Sequence, residues 1–289
     1  MTNKYRPIKQ LFHSQPTLEG AGVHLKRAFG SRQLPIFDPF LLLDDFHSNE
    51  PEKYLPGFPW HPHRGIETIT YMLEGQVAHG DSLGNEGTIE AGDVQWMTAG
   101  SGIIHQEMPR GQADGSLWGF QLWANLPARH KMMSPRYRGI TAQEIPVISL
   151  DNGITIRLIC GTFERTSGPV TDIMIDPEYM DVSVPAGVSF THPTKPGYTV
   201  FAYVLEGQGW FEADRDRLLA AQTVALYGEG GAVSITASST GLRFLLVSGQ
   251  PLNEPVAWGG PIVMNTQEEL TLAFSEYRRG TFLKVGRNK

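Results

Sequence analysis

The sequence predicts an all-β protein of two antiparallel β-barrel domains with a single helix at the C-terminal end. Three observations carry this. Short alternating runs are separated by Gly, Pro, Asn and Asp, a hexapeptide recurs 132 residues further on, and helical periodicity is confined to one stretch near the end.

The strands come first. "ETITYMLEG", "GDVQWMTAG", "TIRLICGTF", "DVSVPAG", "TVFAYVLEG" and "LRFLLVSG" each alternate or run apolar over strand length and stop at turn residues. The repeat follows from two of them. "YMLEGQ" at Tyr71 to Gln76 returns as "YVLEGQ" at Tyr203 to Gln208, and His61-Pro62 returns as His192-Pro193 at nearly the same offset. Two related β domains, residues 1–133 and 134–289, explain both matches. In "NTQEELTLAFSEYRRG" the pattern changes. Thr266 with Glu269 forms a capping-box signature, Leu270, Phe274 and Tyr277 fall at helical spacing, and Arg278, Arg279 and Gly280 supply end signals. This predicts a helix over about 266–279, able to lie across the first domain.

Composition excludes several classes of function. The chain has 289 residues, 40% hydrophobic and 19% charged, with a formal charge of −6 and no Lys/Arg block, so direct nucleic-acid binding is not expected. The opening "MTNKYRPIKQLFHSQP" lacks the apolar core of a secretory signal, and no window is apolar enough to span a membrane. The one cysteine, Cys160, lies in the apolar run "ITIRLICGTF" and reads as a buried thiol, which fits a reducing cytoplasm.

The chemistry concentrates in two short pairs. In "GFPWHPHRGIETITYMLEG", His61 and His63 are two residues apart, and in an extended strand they share a face. In "AGDVQWMTAGSGIIHQEMP", His105 and Glu107 do the same. A lone histidine near a strand end is ordinarily a surface or hydrogen-bonding residue. His13, His24, His47, His79, His130 and His192 keep that reading, with His79 the weakest exclusion because it lies just beyond the first motif. Two paired motifs are different. An antiparallel barrel can bring both strands together, so His61, His63, His105 and Glu107 can converge on one metal. Three imidazoles and one carboxylate suit iron, manganese, cobalt or nickel with open positions better than a closed structural zinc site.

These residues resemble the pirin family of bicupins. The broad cupin pattern appears as Gly57, His61, His63, Glu67 and Gly75, then Gly92, Gly100, Gly102 and His105. "FDPFLLLDDF", "QLWANLP" and "GQPLNEPVAWGGPIVMNT" look like more specific family signatures and extend the resemblance over most of the chain. The resemblance implies two stacked cupin-type barrels and one Fe(II) per chain, other divalent transition metals being alternatives. It implies His61, His63, His105 and Glu107 as ligands, whereas general cupins use the carboxylate at Glu67. In the second half Thr194 stands where a ligand histidine would be, so that site is expected to hold no metal.

Two functions follow from the resemblance. One is a quercetinase-like dioxygenase, cleaving a flavonol with O₂ and releasing carbon monoxide, with Glu107 accepting the substrate's hydroxyl proton. The other is an iron-dependent redox-responsive regulator that binds a protein partner. Trp60, Met72, Trp96 and Met97, beside the metal motifs, are the expected lining for a planar ligand.

Overall fold

A computed structural model describes residues 4–30 and 36–284. Among the described residues it is dominated by antiparallel strands, with one α-helix, Gln267–Arg278.

The chain forms two compact units, and each is assembled from two separate segments of the sequence. One comprises Met1–Ser14 with Gln143–Pro251, the other Gln15–Ala142 with Leu252–Lys289. A single division at 133/134 therefore does not describe them. The reason is strand pairing. Ile8–His13 completes the edge of a sheet by pairing with Thr223–Tyr227, which leaves fewer backbone groups unpaired.

In the unit carrying the metal motifs, two antiparallel sheets face each other. The larger has strands in the order Arg136–Ile140, Val94–Thr98, Ile66–Glu74, Leu117–Asn125, Phe40–Ser48, Val23–Phe29 and Gln15–Glu19. The smaller runs Phe58–His63, Ile103–Arg110, Gln76–Asp81 and Glu86–Ile89. Val23, Leu25, Phe46, Met72 and Leu117 from the first pack with Val77 and Ile89 from the second into one apolar cluster. Burying that cluster is the main favourable term in closing the sheets on each other.

The C-terminal segment belongs to this unit. Ala257–Gly259 and Ile262–Met264 form a hairpin, and the helix follows. Its start obeys the sequence signal. Thr266 Oγ1 accepts the Glu269 amide at 3.2 Å, and Glu269 Oε2 accepts the Thr266 amide at 3.0 Å. Leu270 and Ala273 are its buried residues, whereas Tyr277 is 39% exposed and rests its ring on Phe282.

The second unit is built on a nine-stranded sheet in the order Ile8–His13, Thr223–Tyr227, Thr199–Trp210, Ala232–Gly249, Glu178–Val184, Thr155–Cys160 and Val147–Ser149, with Ser189–Pro193 and Leu218–Ala220 as branches, and a two-stranded sheet of Thr162–Phe163 and Thr166–Ser167 beside it in sequence. Its core includes Ile156, Val182, Val200, Val204, Phe211, Ile235 and Phe244. Cys160 is buried in this unit. The internal repeat is visible in the backbone. Gly75 and Gly207, which end the two copies of the LEG motif, both have φ of +72°. A side chain at either would meet a carbonyl oxygen, that of Arg110 at 2.7 Å or Gly241 at 2.1 Å, so both copies need glycine for the same turn.

Candidate metal centre

The Phe58–His63 and Ile103–Arg110 strands pair antiparallel with His105 opposite His61. Opposite residues share a face, so the two motifs meet as the spacing requires. His61 Nε2 lies 3.0 Å from His63 Nε2 and 2.9 Å from His105 Nε2. Among the described residues this is the one group of three or more His, Cys, Asp or Glu that gathers ligand atoms within 4.8 Å of one another.

The far nitrogens decide what this arrangement can hold. His61 Nδ1 lies 2.8 Å from the Pro59 carbonyl oxygen, and His63 Nδ1 lies 3.0 Å from that of Pro261. A carbonyl oxygen only accepts, so both Nδ1 atoms carry the hydrogen and, in neutral rings, both Nε2 atoms present bare lone pairs. Two lone pairs 3.0 Å apart repel unless a cation lies between them. Protonation is opposed by burial, which pushes His63 well below the usual histidine range with help from His61 and His105. Burial, His61 and His79 depress His105 in the same way. Spacing agrees with a metal. For bonds of about 2.1 Å, ligands at right angles stand about 3.0 Å apart and tetrahedral ligands about 3.4 Å. The observed 2.9 and 3.0 Å are separations that one shared ion can span.

The two carboxylates differ. Glu107 Oε2 stands 4.0 Å from His105 Nε2, and Glu107 lies outside the 4.8 Å histidine group. Gln121 Nε2 donates to both its oxygens, at 2.9 and 3.2 Å, and Thr70 Oγ1 donates to Oε1 at 3.2 Å. Glu67 stands apart from this cluster. It lies on Ile66–Glu74 with an unbroken register from Glu67 to Tyr71, so it faces the opposite side of that strand from Thr70. There it accepts Thr98 Oγ1 at 2.6 Å, and burial raises its pKa against the pull of Thr98. The even spacing of His63 and Glu67 in sequence says nothing of the direction Glu67 takes. Arg64 and Gly65, the latter with φ of +77°, separate two strands of different sheets.

Beside the histidines opens a cavity of ≈610 Å³, within the range that takes a small molecule. Phe58, Pro59, His61, His63, Trp123 and Trp258 line it, together with an Arg27, Asp44 and Glu19 cluster. Arg27 grips Asp44 with two bonds of 2.8 and 2.7 Å and reaches Glu19 at 2.9 Å. Trp123 stands edge-on to His63 at 5.1 Å, and Trp258 lies 6.2 Å from Trp123.

The aromatic lining expected from sequence is corrected. Met72, Trp96 and Met97 are fully buried core residues, and Trp60 is 53% exposed outside this cavity. Trp123, Trp258 and Gln121 take those roles. Trp123 and Gln121 share parity on Leu117–Asn125, and Gln121 pairs directly with Thr70, a pattern visible in "QLWANLP" once its strand is placed beside Ile66–Glu74. His79 lies opposite Glu107 on the Gln76–Asp81 strand, stacked on Tyr137, and stands apart from the histidine group. In the other unit His192 lies buried 3.4 Å from Glu178, and Thr194 accepts Arg6 Nε at 2.7 Å.

Residues 22–124 match the Pirin family and residues 179–283 match its Pirin C-terminal cupin domain. A "Pirin-like protein" from Caulobacter vibrioides is 45% identical over 96% of this chain and 99% of its own length. The chain belongs to the pirin family. Another pirin relative, from Pseudomonas aeruginosa, is 42% identical over 96% of this chain and 98% of its own length and is provisionally named quercetin 2,3-dioxygenase. The crystal structure of a quercetin 2,3-dioxygenase from Acinetobacter baumannii superimposes on this pirin with a TM-score of 0.87 at 35% identity, covering 96% of this chain and 98% of the other. No helix among the described residues of this pirin is long and apolar enough to cross a membrane.

Proposed function

We propose that this pirin is a mononuclear metal-dependent dioxygenase acting on flavonols such as quercetin, with O₂ as co-substrate and carbon monoxide as a product. His61, His63, His105 and Glu107 would hold one ion per chain, iron(II) being the first assignment to test. One observation carries the reading: bare Nε2 atoms 3.0 Å apart, their protons fixed on the far side, at the edge of an aromatic-walled cavity. The names of the Pseudomonas and Acinetobacter relatives support the reaction class.

Bound there, iron(II) supplies a Lewis acid for a substrate oxygen and the redox capacity toward O₂ that side chains lack. The chain's own residues supply the rest. Trp123, Trp258 and Phe58 offer flat apolar surface that orients a planar ring and keeps water from it. His63 and His105, held neutral by burial, remain donors of lone pairs and not of protons. Glu107 is then the carboxylate beside the histidines able to accept the flavonol's hydroxyl proton, which leaves an anionic oxygen suited to a cationic centre.

The test is direct. Protein purified without oxygen and loaded with iron(II) is assayed for metal content and then given quercetin and air. About one iron per chain, consumption of quercetin and release of carbon monoxide are the expected results. Full iron with no carbon monoxide overturns the oxygenase assignment and returns the alternative of an iron-bearing regulator with a protein partner.

A further inference from the structure

Glu107 has no freedom to choose its own position, and the cause lies two side chains away. Trp123 Nε1 is 2.9 Å from a terminal atom of Gln121. An indole N–H only donates, so that atom is the amide oxygen, and the amide nitrogen must face the other way. The other way is Glu107, with Nε2 2.9 Å from Oε2 and 3.2 Å from Oε1. A flipped amide would set its oxygen against the carboxylate, acceptor against acceptor. Trp123 therefore fixes Gln121, and Gln121 fixes Glu107.

Gln121 also stands at a boundary. It borders the ≈610 Å³ cavity and, on its other side, a void of ≈10 Å³ that Glu107 and Thr70 border. A ligand filling the cavity meets the Gln121 side chain and the Trp123 ring before it meets the carboxylate.

We propose that Gln121, its amide oriented by the Trp123 indole, is the positioning residue that aims the Glu107 carboxylate at the three histidines. The inference rests on the metal reading above. Partners of this kind hold a ligand group in place before the metal arrives, and losing one typically costs 10- to 100-fold in metal affinity.

Cobalt(II) is the probe, because its absorption bands report ligand number and geometry without any turnover. Binding to the full-length chain is measured in competition with a chelator for wild type, Gln121→Met, Trp123→Phe and the double variant. Gln121→Met keeps the bulk and deletes the amide, whereas Trp123→Phe keeps an aromatic ring beside His63 and deletes the N–H together with the five-membered part of the indole. Expected results are an affinity loss of about tenfold or more with shifted bands for Gln121→Met, a smaller loss for Trp123→Phe, and a double variant no weaker than Gln121→Met alone. Wild-type affinity and spectrum in Gln121→Met would overturn the inference, as would losses that multiply in the double variant, since independent packing defects add and a single chain of contacts does not. Should Gln121→Met fail to fold, unchanged cobalt bands in Trp123→Phe would overturn it alone. A wild-type protein that binds no cobalt sinks the metal reading first, an outcome distinct from all of these.

Discussion

The carbonyl oxygen of Pro261 lies 3.0 Å from Nδ1 of His63, across 198 residues of sequence. That contact fixes which nitrogen of His63 carries its hydrogen, and so which nitrogen faces the other histidines. The orientation of a side chain in the first motif is thus set by the hairpin near the C-terminal end.

Gly65→Ala tests this link. A methyl group at Gly65 would stand 2.0 Å from the Val263 carbonyl oxygen and would also strain a backbone with φ of +77°. Val263 must move, and Pro261 is two residues away. We expect a stability loss of roughly 1–3 kcal/mol by urea unfolding, together with weaker metal binding. Unchanged metal affinity in the folded variant would show that the Pro261 contact does not position His63.

Glu67→Gln and Glu107→Gln should separate cleanly. Glu67 faces the opposite side of its strand from Thr70, so its amide variant should retain metal in full. Glu107→Gln should lose turnover by about 10²-fold or more per bound iron, because an amide accepts no proton at neutral pH. Metal loss in Glu67→Gln with retention in Glu107→Gln would reverse the assignment of the carboxylate.

Trp258→Ala should weaken flavonol binding about tenfold or more while metal content stays at the wild-type level. The indole lines the cavity beside Trp123 and donates its N–H to the Gly260 carbonyl oxygen at 2.8 Å, so it offers a metal no ligand atom. Tryptophan fluorescence quenching by the flavonol measures the first quantity and metal analysis the second.

Lys131 predicts a slope of stability with pH. Its buried ammonium donates to the Gly65 and Val263 carbonyls and to Asn125 Oδ1, at 2.9, 3.0 and 2.7 Å, while burial pulls its pKa down to about 8 from 10.5. Between those values the unfolded chain binds more protons than the folded one, so this group's penalty is full below about pH 8 and relieved as pH rises toward 10.5. The rise is at most about 3 kcal/mol. Lys131→Met should lower stability at pH 7, since three acceptors lose their donor, and should flatten the slope between pH 8 and 10 in urea titrations. A variant with the wild-type slope would assign that dependence to another group.

Loading metal should raise the melting temperature of the wild type and not that of the His61→Ala, His63→Ala double variant, because an ion that binds only the native state stabilises it by mass action. Calorimetry with and without chelator makes the comparison. An equal shift in both proteins would place the metal elsewhere.

Sequence alone determined whatever depends on a few neighbouring residues. Strand parity paired His61 with His63 and His105 with Glu107, the capping box marked the start of the helix at Thr266, and the LEG repeat announced two related halves whose turns share one φ at Gly75 and Gly207. Tertiary structure decided what depends on which strands become neighbours. Parity is reset at each turn, so the Arg64–Gly65 turn hid which side of its strand Glu67 takes, and nothing local in "QLWANLP" or "AWGGP" shows that Gln121 will meet Glu107 or that Pro261 will meet His63. The same cause underlies the aromatic lining. Met72, Trp96 and Met97 are close to the motifs in sequence yet project into the core, whereas Trp123 and Trp258 are distant in sequence and are delivered to the cavity by sheet pairing and the returning C-terminal hairpin. A period of two residues specifies a face of a strand, and only the packing of sheet on sheet specifies what that face looks onto.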